Sequence, residues 1–428
     1  MDCLRRYRRS LPFLTASRED IEAHQMARLR DLLAHAGACV PYYRDLFRKE
    51  RFEPSRMRTV RDLEILPPLR RRDLQGNRPN LLAEGADTGK LARGSSSGST
   101  GEPVVFFHDR DSSSEGVAAG WAGWHIGGWR PGARYFHLWG NPSSVASWSR
   151  WSSRLKYVAL NWDRYPAHEL TNRGALDLLF GRLGAFRPEF LGGYAHAISR
   201  LAFHAKESGG YPGPRLKGVF TTAEQLHPLQ RSIIEDALGP VFDAYGCAEV
   251  NGIANQCAER SGYHVHAYHV ILEILREDGL NKILLTDLGN RSFPLIRYQV
   301  GDLMAQDALE WGCPCGVTLP TLAGIQGRES DSIATEEGGA LLVPSFLGGK
   351  IFEKIHGVRA HQVVLTREGV FAVKLVLDRD LAGEERRDLE AYLRSFLGAR
   401  PWRIDILPDE GDLTYKAGKF RIFCREDA

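Results

Sequence analysis

Apolar residues fall into helical register soon after the chain begins. Behind Ser17-Arg18-Glu19-Asp20, which reads as a capping box, Ile21, Met26, Leu29, Leu32 and Leu33 share one face. The spacing predicts a helix near residues 18 to 38. Residues 94–103, GSSSGSTGEP, are a run of small residues that cannot pack a core, and Val104-Val105-Phe106-Phe107 after them reads as a strand. From residue 269 the pattern shortens to HVILEIL, a turn at Glu277-Asp278-Gly279, and KILLTDL, which is hairpin spacing. After Gly327 comes a smaller alternating unit. In it VFAVKLVL and RIDIL read as strands, and the span from Glu384 to Leu397 carries Leu389, Leu393, Phe396 and Leu397 on one helical face. The expected architecture is α/β, with a large N-terminal domain over 1–327 and a smaller α+β C-terminal domain over 328–428.

Composition narrows the class. At 428 residues the chain suits two domains, and 43% hydrophobic with 25% charged residues is ordinary for a globular protein. A net charge of +3 lacks the basic excess of a nucleic-acid binder, so Arg5, Arg6, Arg8, Arg9 and Arg70 to Arg72 read as solvated surface. No run approaches the roughly 20 apolar residues of a membrane span. MDCLRRYRRSLPFL has no apolar stretch after its basic residues, so a cytoplasmic address is expected, where disulfides are rare. Seven of the nine tryptophans lie between Trp121 and Trp162. They read as aromatic core, with the wall of a ligand pocket as the alternative.

The seven cysteines include one close pair, Cys313 and Cys315. In a reducing compartment such a pair points to a metal or to catalysis. Cys257 and His264 complete a set of three thiolates and an imidazole, suited to a closed structural Zn²⁺ site. His266 and His269 compete as the fourth ligand. In one regular strand, His266 shares a face with His264 and His269 points away.

The Ser/Gly run brings chemistry as well. Its glycines allow close backbone approach to a phosphate, and its hydroxyls and N–H groups donate without bulk. It lacks the GxxxxGK[ST] arrangement of a P-loop. Downstream, in order, lie Thr221-Thr222-Ala223-Glu224 and Asp243-Ala244-Tyr245-Gly246-Cys247-Ala248-Glu249. Thr286-Asp287-Leu288, Pro294-Leu295-Ile296-Arg297-Tyr298-Gln299-Val300-Gly301-Asp302, Gly327-Arg328 through Asp331, and Ala417-Gly418-Lys419-Phe420-Arg421 follow.

This ordered set, spanning roughly residues 90 to 421, resembles the acyl-adenylate-forming enzymes and, within them, the phenylacetate–CoA ligase-like branch. The resemblance implies an adenylating N-terminal domain, a mobile C-terminal lid, and the reaction of a carboxylate with ATP to give acyl-AMP and pyrophosphate. It places ATP against Ser96, Ser97, Gly98, Ser99, Thr100 and Gly101. Tyr245 can stack on adenine beside Gly246, while the Ala223 and Glu224 backbone and the Asp243 carboxylate read its edge. Asp302 and Arg328 can hold the ribose, and Glu249 can ligate Mg²⁺. Lys419 resembles the lysine that bridges carboxylate and α-phosphate, and Thr100 joins Glu249 and Lys419 as a catalytic candidate. Two departures stand out. Glu102 occupies the place of the family's usual phosphate-loop lysine, and ESDSIATEEGGALLVP follows Gly327-Arg328 where true phenylacetate ligases continue differently.

The expected substrates are ATP and a small carboxylic acid, aromatic if the branch and the pocket candidates Trp139, Tyr194 and Gly246 are followed. Coenzyme A is the expected thiol acceptor. An amine or a separate carrier protein as acceptor, an adenylyltransferase leaving AMP on a hydroxyl, and a non-catalytic nucleotide-binding protein are the alternatives. Nucleic-acid and membrane partners are not expected, and a homodimer stays open.

Overall fold

The computed structural model of the chain describes residues 2–96, 104–140, 151–170, 172–334, 340–343, 355, 357–408, 413, 415–416 and 419–426. The described chain is α/β, with a large N-terminal domain and a small C-terminal one. By contacts it divides into two compact units, Met1–Gly127 with Ala244–Ser330, and Gly128–Asp243 with Asp331–Ala428.

In the first unit the expected N-terminal helix spans Arg18–Cys39, capped by the Ser17 hydroxyl, which accepts from the Asp20 N–H at 3.0 Å. Ile21, Leu29, Leu32 and Leu33 are buried, as their spacing requires. The helix stops because Val40 precedes proline and is driven to extended backbone, and Pro41 then opens the next helix, Pro41–Lys49. The expected hairpin pairs Val270–Glu277 with Leu280–Asp287, from Val270 opposite Asp287 to Glu277 opposite Leu280. Asp278 and Gly279 turn it with φ of 55° and 73°, the double left-handed pair that a two-residue hairpin loop needs. Tyr298–Met304 and Ile325–Arg328 extend this sheet on the Leu280–Asp287 side.

Lys282, on the hairpin, is almost wholly buried. It pairs with Glu277 and with Glu329, each at 2.8 Å, while Gln299 donates to Glu329 at 3.0 Å. The residue after Arg328 is therefore clamped to the sheet.

In the second unit Trp162–Pro166, Tyr135–Trp139, Phe190–Tyr194 and Gly218–Thr222 lie side by side as parallel strands. Gly193 has to be glycine here, since a Cβ would stand 2.1 Å from the Leu138 carbonyl oxygen. Helices Arg173–Phe186, Ala195–Glu207 and Pro228–Ala237 supply buried Leu179, Leu183, Ile198, Leu201 and Ile234 to this core.

The small domain has the strand order Trp402–Leu407, Phe371–Leu377, Val358–Leu365, Phe423–Arg425. Its helix Gly383–Leu397 buries Leu389, Leu393 and Leu397 against Val363, Phe371, Val373 and Leu375. The strand Val358–Leu365 escaped the sequence reading, because buried His361 and Gln362 interrupt its apolar run. A short hairpin joins Tyr415–Lys416 to Lys419–Phe420, with Lys416 opposite Lys419. No helix among the described residues is long and apolar enough to cross a membrane.

Candidate active site and metal centre

In the first unit, Tyr245, Asp302 and Arg328 are brought together. Tyr245 ends the strand Val241–Tyr245, and its hydroxyl donates to Asp302 Oδ2 at 2.9 Å. Burial and the Asp302 carboxylate push the Tyr245 phenol well above its usual pKa, so it remains a donor. Asp302 lies directly across the ladder from Arg328, whose Nε stands 3.6 Å from Oδ1. Gly301, immediately before it, has φ of 82°, a left-handed setting that a side chain would strain. Glu249 is buried and accepts from the Tyr298 hydroxyl at 3.1 Å. Gly246 is exposed just after Tyr245.

Two residues of the same motifs take structural parts. Arg297 turns inward, with Nε 3.0 and 3.3 Å from the two Glu273 oxygens and Nη1 on the Leu66 carbonyl. Thr286 Oγ1 accepts the Arg297 N–H at 2.9 Å, which ties two motifs together. The sequence reading quoted Tyr298 and Arg297 without roles. Their place inside a polar-rich string was the one available signal.

In the second unit, Asp243 is buried and accepts from Thr221 Oγ1 at 2.6 Å. Ala223 has φ of 69°, uncommon for a residue with a Cβ, and it swings Glu224 round at the strand end. The Glu224 carboxylate accepts two backbone N–H groups, from His196 through Oε2 and from Phe420 through Oε1, both at 2.9 Å. The Trp139 and Tyr194 rings, the pocket candidates, lie 4.4 Å apart between centroids at 39°. Burial, with Glu224 nearby, raises the Tyr194 phenol to about 12.

Ser97, Gly98, Ser99, Thr100, Gly101 and Glu102 lie outside the described residues. Ser96 ends the strand Ala92–Ser96, and Lys419 is placed by its backbone in Lys419–Phe420.

The predicted metal ligands do come together. The ligand atoms of Cys257, His264, Cys313 and Cys315 all lie within 4.8 Å of one another, a group that could hold a metal ion. Cys257 and Cys313 sulfurs are 3.7 Å apart, and Cys315 Sγ is 3.3 Å from His264 Nε2. For zinc–sulfur bonds of about 2.3 Å, a tetrahedron has sulfur–sulfur edges of about 3.8 Å, so the spacing fits. His264 Nδ1 faces the Leu319 carbonyl at 3.3 Å, which leaves Nε2 as the nitrogen that could coordinate an ion. The rival histidines are engaged elsewhere. His266 Nδ1 lies 2.9 Å from the Gly252 carbonyl, and His269 Nε2 lies 3.0 Å from that of Asn251. Alternation cannot rank them, because the strand Tyr263–Val265 ends before either and the chain turns.

The architecture has close counterparts. A 2-hydroxyisobutyryl-CoA ligase, crystallised in the postadenylation state with R3-HIB-AMP, superposes with a TM-score of 0.75 at 20% identity, covering 96% of this chain and 91% of that one. The fold is thus that of the acyl-adenylate-forming enzymes, and the ordered motifs resemble theirs. No family profile matches the sequence. Among curated proteins it is 27% identical to the phenylacetate-coenzyme A ligase of Thermus thermophilus, over 83% of this chain and 80% of that protein. It is 26% identical to the phenylacetate-coenzyme A ligase of Escherichia coli, over 84% of this chain and 82% of that one. In sequence and fold the chain is similar to acyl-adenylate-forming enzymes of the acid–CoA ligase-like kind.

Proposed function

We propose that this enzyme activates a small, aromatic carboxylic acid with ATP and passes the acyl group to coenzyme A. The observation that carries the adenylation step is the Tyr245–Asp302–Arg328 arrangement, an aromatic ring, a carboxylate and a cation held side by side. A ring of this kind offers a face to adenine. Asp302 offers oxygens to ribose hydroxyls, with Arg328 beside it. Glu249, a buried carboxylate shortly after Tyr245 in sequence, would hold Mg²⁺ on the phosphates. Ser96 to Gly101 would cradle the phosphates, and Ala223, Glu224 and Asp243 would frame the base.

In this reading the acid's carboxylate attacks the α-phosphorus and pyrophosphate leaves, with Lys419 offsetting charge as two anions approach. The aromatic preference is supported by the phenylacetate ligases among the relatives and by the paired Trp139 and Tyr194 rings. Coenzyme A as acceptor is supported by the same relatives. The part of residues 328–428 that follows Glu329 would act as the lid that brings Lys419 in and then withdraws it. Cys257, His264, Cys313 and Cys315 would hold a closed Zn²⁺ that pins the loop carrying Cys313 and Cys315, with no open position for chemistry.

The test is acid-dependent exchange of labelled pyrophosphate into ATP, run with a panel of aromatic and aliphatic acids. Aromatic acids should drive exchange, and adding coenzyme A should yield the thioester with AMP. Release of inorganic phosphate in place of pyrophosphate would overturn the adenylate mechanism.

A further inference from the structure

Glu224 sits at a junction that its sequence motif does not announce. Its carboxylate caps the helix Ala195–Glu207 by accepting the His196 N–H at 2.9 Å, where a negative group also meets the positive end of the helix. The other oxygen of the same carboxylate accepts the Phe420 N–H at 2.9 Å, 196 residues further along the chain. The His196 ring lies flat on the Phe420 ring, with centroids 4.2 Å apart and 17° between planes. Both rings are buried, and burial, helped by Arg200, holds the imidazole down to about 3, so a neutral ring faces Phe420. Phe420 is thus gripped twice, by its backbone N–H and by its ring.

We infer that Glu224 is a positioning residue for Lys419, a carboxylate staple that fixes the peptide next to the lysine while His196 seats the neighbouring ring. The inference rests on the adenylation reading for the role of Lys419, but the grip itself does not depend on it. The logic is geometric. Phe420 N is bonded to the Lys419 carbonyl carbon, so holding that N–H fixes where the lysine's Cα stands. A hydrogen bond to a carboxylate acceptor is strong enough to matter and can still be released.

Glu224→Gln is the sharp test, because it preserves shape but leaves one acceptor oxygen for two N–H groups and turns an NH₂ on the other. In full-length protein, hydrogen exchange at the Phe420 amide should speed up in Glu224→Gln. The rate of acid-dependent pyrophosphate exchange should fall about 10- to 100-fold, the loss expected for a hydrogen bond to a charged group. Transfer from a supplied acyl-adenylate should stay near wild type. A variant that merely loosened the helix would move all of these together. His196→Phe, which keeps a ring under Phe420, should retain adenylation, and His196→Ala should lose part of it. Unchanged protection of the Phe420 amide in Glu224→Gln would overturn the staple. Equal loss of both half-reactions would overturn the positioning role. Failure of wild-type protein to exchange pyrophosphate with any acid would sink the adenylation reading instead, and the amide measurement tells the two failures apart.

Discussion

Tyr245 and Asp302, 57 residues apart in sequence, are joined by a 2.9 Å hydrogen bond from phenol to carboxylate, and Arg328 stands over the other carboxylate oxygen. Removing the acid leaves a buried phenol and a guanidinium facing each other with no acceptor between them. Asp302→Ala should raise the KM for ATP about 10- to 100-fold, with a smaller effect on kcat, since ribose contacts are similar before and during reaction. Tyr245→Phe keeps the ring and loses one hydrogen bond, so it should cost about 1 kcal/mol of stability and change KM less. Steady-state kinetics and thermal unfolding of both variants check this.

The lysine and the lid are tested by separating half-reactions. Lys419→Ala should reduce acyl-AMP formation by about 10²- to 10³-fold, the loss typical of a group that stabilises developing charge. Transfer from supplied acyl-adenylate should persist, and Lys416→Ala, its cross-strand partner, should alter neither step much. Equal loss of both steps in folded Lys419→Ala would make the lysine structural.

Metal content is a direct measurement. Purified protein should carry about one zinc per chain, and Cys257→Ser or Cys315→Ser should lower both the zinc content and the unfolding temperature. Chelation should lower the unfolding temperature of the wild type and leave either variant little changed. Carefully prepared wild-type protein free of metal would refute the site.

Three buried histidines give stability a pH dependence of known sign. Burial holds His227 down to about 4 and, with Arg200, His196 to about 3. His361 lies well below its usual value through burial and the nearby His227 and His196. These residues take up protons in the unfolded chain near pH 6.5 but not in the native one. Their contribution is absent above that pH and destabilising as pH falls from 6.5 towards 4. At pH 5 a histidine so excluded costs about 2 kcal/mol. Proton uptake on unfolding at pH 5, measured by calorimetry in several buffers, should fall by about one in His227→Gln.

Much of this was legible because local rules and tertiary demands agreed. The Arg18–Cys39 helix has its cap, its face and its proline stop in the sequence, and the 270–287 hairpin has its Asp-Gly turn. The candidate metal ligands were readable from residue type, a close cysteine pair with a further cysteine and a histidine upstream, although His266 and His269 stayed as rivals for the fourth place. What stayed hidden were the partnerships. Nothing local couples Glu224 to Phe420 or Tyr298 to Glu249, because both contacts depend on how distant strand ends align. The division of the chain at Gly127/Gly128 and Asp243/Ala244 was not read either, for Gly127-Gly128 and Pro131-Gly132 look like an ordinary turn and the second joint falls inside the strand Val241–Tyr245.

The clamp on Glu329 has a mechanical consequence. With its carboxylate tied to buried Lys282 and to Gln299, the backbone up to that residue moves as part of the sheet. A swing of the small domain would therefore have to find its axis at Ser330 or later, one bond past the anchor, and Arg328 would keep its station throughout. Such a pivot would work like a door hung on a fixed post, with Arg328 belonging to the frame and Lys419 to the leaf.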